Sequence, residues 1–100
     1  MENIDLLDMD FLEDAAELLK VMSHPVRLQI VHILTQGDFS VGEIAEMCEL
    51  PPNQTCEHLR RLKTQGLLKS RRQGRMVYYS INSPRLPRLI QCILEGCENT

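Results

Sequence analysis

Two prolines in succession, Pro51 and Pro52, stand between two stretches that both carry helical periodicity. Proline lacks a backbone N–H, and its ring collides with the carbonyl four residues back, so no helix runs through the pair. Before it lies Ser40-Val-Gly-Glu-Ile-Ala-Glu-Met-Cys48. After it comes Gln54-Thr-Cys-Glu-His-Leu-Arg-Arg-Leu-Lys63, which ends at Gly66. The tight Pro51-Pro52-Asn53 turn therefore joins two short helices at a steep angle. Strand composition follows at Leu67-Leu68, then a basic turn, Arg71-Arg-Gln-Gly-Arg75, then a second strand, Met76-Val-Tyr-Tyr-Ser-Ile81. Two angled helices followed by a basic hairpin are how a winged helix-turn-helix presents one helix to the DNA major groove. The chain is expected to read double-stranded DNA.

The distribution of charge bears on that expectation more than the net charge, which is −3. Up to residue 55 the basic side chains are Lys20 and Arg27 alone, against a series of acids that begins Glu2, Asp5, Asp8, Asp10. From residue 56 to residue 88 the balance inverts: Glu57 is the single acid among arginines and lysines. The basic half is the helix-plus-wing half, which is the electrostatic footprint of a phosphate-facing surface.

A length of 100 residues predicts one domain over residues 1–100 with a modest core, to which dimerisation would add burial. No apolar run approaches the ~18 residues a membrane span needs. The acidic N-terminus lacks the basic start of a signal peptide. A cytoplasmic protein without membrane contact is expected, and its four cysteines (Cys48, Cys56, Cys92, Cys97) are expected as thiols. With no Cys-x-x-Cys, a zinc ribbon is excluded. Paired carboxylates in a cleft, a phosphate-binding glycine loop and a nucleophile elbow are all missing, so no enzyme is expected.

Periodicity organises the rest. Phe11, Leu12, Ala15, Leu18, Leu19 and Met22 fall at helical spacing over about residues 8–22. Pro25 suits the first turn of a second helix, about 25–35, which buries Val26, Ile30, Ile33 and Leu34 and ends at Gly37. Ser40 and Glu43 have the spacing of a capping box for the helix 41–48. In the next helix Thr55, Leu59 and Leu62 form the buried stripe, with Asn53, Glu57, Arg60 and Arg61 opposite and Gln54 beside them. Pro84 starts a last helix, Gly96 stops it, and Leu86, Leu89, Ile90, Ile93 and Leu94 give it an apolar stripe broad enough for a partner. The expected fold is mainly α with a β-hairpin wing, in the order α-α-α-α-β-β-α.

Met22-Ser-His-Pro-Val-Arg-Leu-Gln-Ile-Val-His-Ile-Leu34 is followed by Ser40-Val-Gly-Glu-Ile-Ala and Cys56-Glu-His-Leu-Arg-Arg-Leu-Lys-Thr-Gln-Gly-Leu-Leu68, then by Arg75-Met-Val-Tyr-Tyr-Ser-Ile81. This ordered set resembles the ArsR/SmtB family of bacterial winged-helix repressors over about residues 15–95. The resemblance implies a homodimer built mainly from the first and last helices. It also implies a repressor on a near-palindromic operator, released by an effector. The family's recognition helix maps onto Asn53–Lys63 and its wing onto Arg71–Tyr78. Family members often carry serines at the positions of Asn53 and Cys56, and an uncharged residue at that of Glu57. Glu57 accepts from a cytosine amino group but repels phosphate, so the operator sequence does not carry over.

On these grounds Arg60, Arg61, Lys63, Arg71, Arg72 and Arg75 are the expected phosphate or minor-groove contacts. Asn53 belongs to the same recognition helix. Gln54, Glu57 and His58 are the expected base-edge readers, with Arg61 shared between roles. His58, at the margin of the buried stripe, also reads as a half-buried histidine. A winged-helix module that binds protein instead of DNA is the alternative function.

The family's known metal sites fall on changed positions here. A Cys-x-Cys at the start of the third helix falls on Ser40-Val41-Gly42, which has no thiol. An aspartate–histidine zinc site on the last helix falls on a stretch with neither residue. A cysteine pair in the recognition helix meets Cys56 alone. Cys48, Cys92 and Cys97 are left as candidates for thiol sensing of arsenite, a soft metal or a persulfide, with packing as their bland role. Cys92 and Cys97 meet on one ligand only if Gly96 ends the helix and lets Cys97 fold back.

Overall fold

The computed structural model describes residues 3–98. Helix α1 spans Met9–Met22, α2 Pro25–Leu34, α3 Val41–Cys48, α4 Pro52–Thr64 and α5 Arg85–Glu98. The strands are β1 Phe39–Ser40, β2 Leu68–Gln73 and β3 Met76–Ile81, in one antiparallel sheet of order β1-β3-β2. No described helix is long and apolar enough to cross a membrane.

Local chemistry sets most boundaries. The His24 ring caps α2, its Nδ1 accepting from the Val26 N–H at 3.3 Å, and Pro25 fills the first helical position. Ser40 and Glu43 close the capping box of α3: the Ser40 Oγ accepts from the Glu43 N–H and the Glu43 Oε1 from the Ser40 N–H. Helix α3 stops because Glu49 turns left-handed, with φ +55, and the Leu50 N–H donates back to the Ala45 carbonyl at 3.0 Å. That turn, ahead of Pro51, sets the angle between α3 and α4. Helix α4 ends the same way around Gly66, φ +77, with the Leu67 N–H on the Leu62 carbonyl and the Gly66 N–H on that of Lys63.

The core gathers one face of every long element except α1. Ile30, Val31, Ile44, Leu59, Leu62 and Leu86 are fully enclosed, with Leu68 and Tyr79 from the sheet and Ile90 from α5 beside them. Helix α1 contributes Val21 and Met22 from its last turn, with Leu18 half-buried against the core.

Four details depart from the sequence expectation. Strand β1, two residues long, adds a third strand. Strand β2 runs on to Gln73, so Arg71 and Arg72 lie in a strand, and the turn shrinks to Gly74 and Arg75, with Gly74 at φ +65. Helix α2, Pro25–Leu34, matches the expected span but buries Val31 in addition to Ile30, Ile33 and Leu34 and leaves Val26 half-buried. Helix α5 begins after Pro84 and continues through Gly96 to Glu98. Interior glycine costs a helix only about 1 kcal/mol, and neighbouring turns carry it.

Candidate nucleic-acid interface

Helix α4 is fixed to the body by its apolar stripe. Thr55, Leu59 and Leu62 are fully buried, and the Thr55 hydroxyl donates to the Pro51 carbonyl at 3.2 Å, so this buried hydroxyl is satisfied. With that stripe pinned, a period of 3.6 turns Asn53, Gln54, Glu57, Arg60 and Arg61 outward, and all five are exposed. Arg60, Arg61 and Thr64 with Glu57 and Gln65 line an open groove along this face. Lys63 is exposed too, but its Nζ donates to the Ser70 Oγ at 2.8 Å and so ties the end of α4 to β2.

The wing divides its arginines by the pleat. Arg72 shares a sheet face with Leu68 and Ser70, the side that Lys63 reaches from α4, whereas Arg71 points to the other. Arg71 is also engaged. Its guanidinium lies 4.9 Å from the Tyr78 ring centre, its Nη1 donates to the Gln73 Oε1 at 3.0 Å, and its Nη2 stands 3.7 Å from the Asp38 Oδ2. Both members of that ion pair are well exposed, so it adds little stability; its consequence is to hold Arg71 against its own sheet. Arg72 and Arg75 are exposed on the strand and the turn. The two wing arginines best placed to reach outward are therefore Arg72 and Arg75.

His58 sits apart from the other candidates of α4. It is half-buried and faces α2, where the Arg27 Nε–H donates to its Nδ1 at 3.3 Å. The His24 ring meets it edge-on with centroids 4.8 Å apart. Burial, with His24 and Arg27 nearby, pushes the His58 imidazole below its ordinary value. Arg27 is the residue that sequence reasoning passed over. Its signal was present: it is a lone arginine between the apolar Val26 and Leu28.

Among the described residues, Cys48, Cys56 and Cys92 are free thiols. Cys92 is exposed on α5 and Cys48 is half-buried on α3, where burial pushes its thiol pKa up and keeps it protonated. The Cys97 side chain lies outside the described part of the structure. Helix α5 runs through Gly96 as far as Glu98. Among the described residues no group of three metal-ligating side chains is found.

Comparison with known proteins gives a consistent picture. Residues 24–70 match the bacterial regulatory protein arsR family. The transcriptional repressor PagR of Bacillus anthracis is 41% identical, over 82% of this chain and 83% of its own length. The structure of HlyU from Vibrio cholerae, 30% identical, aligns with a TM-score of 0.81 over 86% of this chain and 94% of HlyU. A homodimeric winged helix-turn-helix DNA-binding domain from Mycobacterium bovis, 28% identical, aligns with a TM-score of 0.81 over 98% of this chain and 91% of that one.

Proposed function

This chain belongs to the arsR family of bacterial regulatory proteins, and we propose that it acts as a homodimeric transcriptional repressor in the cytoplasm. It reads a near-palindromic operator with α4 and grips the flanking backbone with the β2–β3 wing. The observation that carries this proposal is the segregation of charge. The exposed face of α4 and the wing hold Arg60, Arg61, Arg72 and Arg75, while the acids are concentrated in the first half of the chain. Repression is taken from the similarity to the repressor from Bacillus anthracis.

The experiment is sequence selection with the purified protein followed by binding to the selected duplex. Arg61→Ala should weaken binding by ~1–3 kcal/mol and relax one operator position, as a base contact does. Replacing Arg72 and Arg75 together by Ala should weaken all duplexes alike and flatten the salt slope by roughly one unit for each phosphate no longer neutralised. A folded Arg61→Ala variant that binds as tightly as the parent would place the recognition face elsewhere. Selection that returns no duplex favours the protein-interaction alternative.

Dimerisation is proposed to run through α1 and α5. Phe11 is 50% exposed, Leu19 57% and Ile93 42%, amounts of apolar surface that a lone chain leaves wet. The radius of gyration, 15.8 Å, exceeds the ~13 Å of a compact 100-residue domain, as it does when helices await a partner. Two-fold symmetry would then set the two α4 helices about one DNA turn, ~34 Å, apart.

Release by a thiol-reactive effector is proposed to use Cys92, exposed on α5, together with Cys97, with Cys48 the next candidate. Arsenite or a persulfide donor should free the parent protein from its operator and leave Cys92→Ser bound. Release that survives the substitution removes this thiol from the switch.

A further inference from the structure

The Arg27 side chain touches three helices. It sits on α2, its Nη1 donates to the Val21 carbonyl in the last turn of α1 at 3.0 Å, and its Nε donates to the His58 Nδ1 on α4 at 3.3 Å. An arginine can only donate. The His58 Nδ1 must therefore accept, which assigns this imidazole its Nε2–H tautomer. We propose that Arg27 and His58 form a proton-sensitive brace that positions α4 for DNA, with His58 acting through its contact with Arg27 and not by touching the operator. The proposal rests on the assignment of α4 as the recognition helix.

Two physical consequences follow from the geometry. First, a proton on Nδ1 turns the acceptor into a donor aimed at the Arg27 N–H and places a second cation beside the guanidinium, so the brace opens. Second, the groups around His58 favour the neutral ring. From α2, His24 and Arg27 oppose its charge, and on its own helix Arg61 does so while Glu57 alone favours it. The folded chain takes up this proton less readily than the unfolded chain. The brace is therefore complete above about pH 6.5, the ordinary histidine value, and opens as pH falls below it. It joins the end of α1 to the middle of α4, so opening it loosens the helix that carries Gln54, Glu57 and Arg61 without altering their side chains' chemistry.

The sign of the pH effect separates a positioning histidine from one that contacts DNA. A histidine on a phosphate binds more tightly when protonated, whereas this one weakens binding. The test measures affinity for the duplex selected by the parent, from about pH 8 down to about pH 4.5, a range that reaches well below the ordinary histidine value of about 6.5. The parent should lose roughly tenfold across it, the scale of one charge-assisted hydrogen bond. His58→Asn, whose amide oxygen takes the place of Nδ1 and accepts no proton, should keep the parent's pH 8 affinity throughout. The difference between the two isolates this ring from His24 and His32. Arg27→Gln should bind weakly at every pH.

Tighter binding in acid, a flat parent profile, or a His58→Asn variant that follows the parent overturns the proposal. Nitrogen chemical shifts of the parent's imidazoles, read without DNA, identify the tautomer directly even where a variant fails to fold. A His58 found in the Nδ1–H tautomer has no brace. A parent that selects no duplex, yet shows the Nε2–H tautomer, would overturn the assignment of α4 as the recognition helix, and with it the positioning role.

Discussion

Ile93→Glu is expected to give a folded monomer that holds the operator roughly 10²–10⁴-fold more weakly, the range over which linking two binding modules raises avidity. Ile93 is 42% exposed and its neighbour Leu94 40% exposed in the single chain. A glutamate there keeps enough water to stay charged, and the protomer's own core, to which the same helix gives Leu86 and Ile90, is left intact. Across a dimer interface the same carboxylate would lose its water without gaining a counter-charge, which an apolar contact does not tolerate. Sedimentation at micromolar concentration should then report half the parent mass, with little change in the circular dichroism. DNA binding falls because each protomer engages only one half-site. A variant that remains dimeric and binds like the parent would show that α5 is not the interface.

Leu59→Ala carries the second large effect and acts through the fold. Leu59 is fully buried at the centre of the stripe that fastens α4 to the core. Removing its isobutyl group forfeits the transfer free energy and leaves a cavity, together about 2–5 kcal/mol. For a domain of this size that lowers the thermal midpoint by roughly 10 °C or more. The polar face of α4 loses no side chain. Affinity measured well below the new midpoint should therefore fall less than in Arg61→Ala, whereas the stability order is reversed. A small thermal shift in Leu59→Ala would mean that the helix is held by something other than this stripe.

Much of the candidate site was legible before the structure, because it depends on local rules. Once Thr55, Leu59 and Leu62 are assigned inward, helical geometry leaves no freedom about where Gln54, Glu57, Arg60 and Arg61 point, and they are exposed as expected. His58 was ambiguous for the same reason. It lies on the boundary of the stripe, where the period alone does not choose between water and core. The neighbour that decides it, Arg27, is thirty-one positions away. The roles of Arg71 and Arg72 were equal in sequence and differ in space, since the strand's alternation sends them to opposite faces and Asp38 occupies only the first.

The same division runs through the whole chain. The amino-acid sequence by itself determined where α3 starts, where α4 starts and ends, and which faces they bury. Ser40 with Glu43, the proline pair, Gly66 and the apolar period act within one or two helical turns. Only the tertiary structure decided that Phe39 and Ser40 form a strand, since two residues have no period and β1 exists through its pairing with Tyr79 and Tyr78. It decided the length of the wing, where β2 extends because β3 offers it a complete ladder to Gln73. It also carried α5 through Gly96, where a local penalty of about 1 kcal/mol is too small to end a helix already fixed by Leu86 and Ile90. Short-range hydrogen bonding and sterics are written in neighbouring residues. Strand pairing, helix persistence and the meeting of Arg27 with His58 depend on contacts between distant ones, whose free energy exists only once the chain has closed on itself.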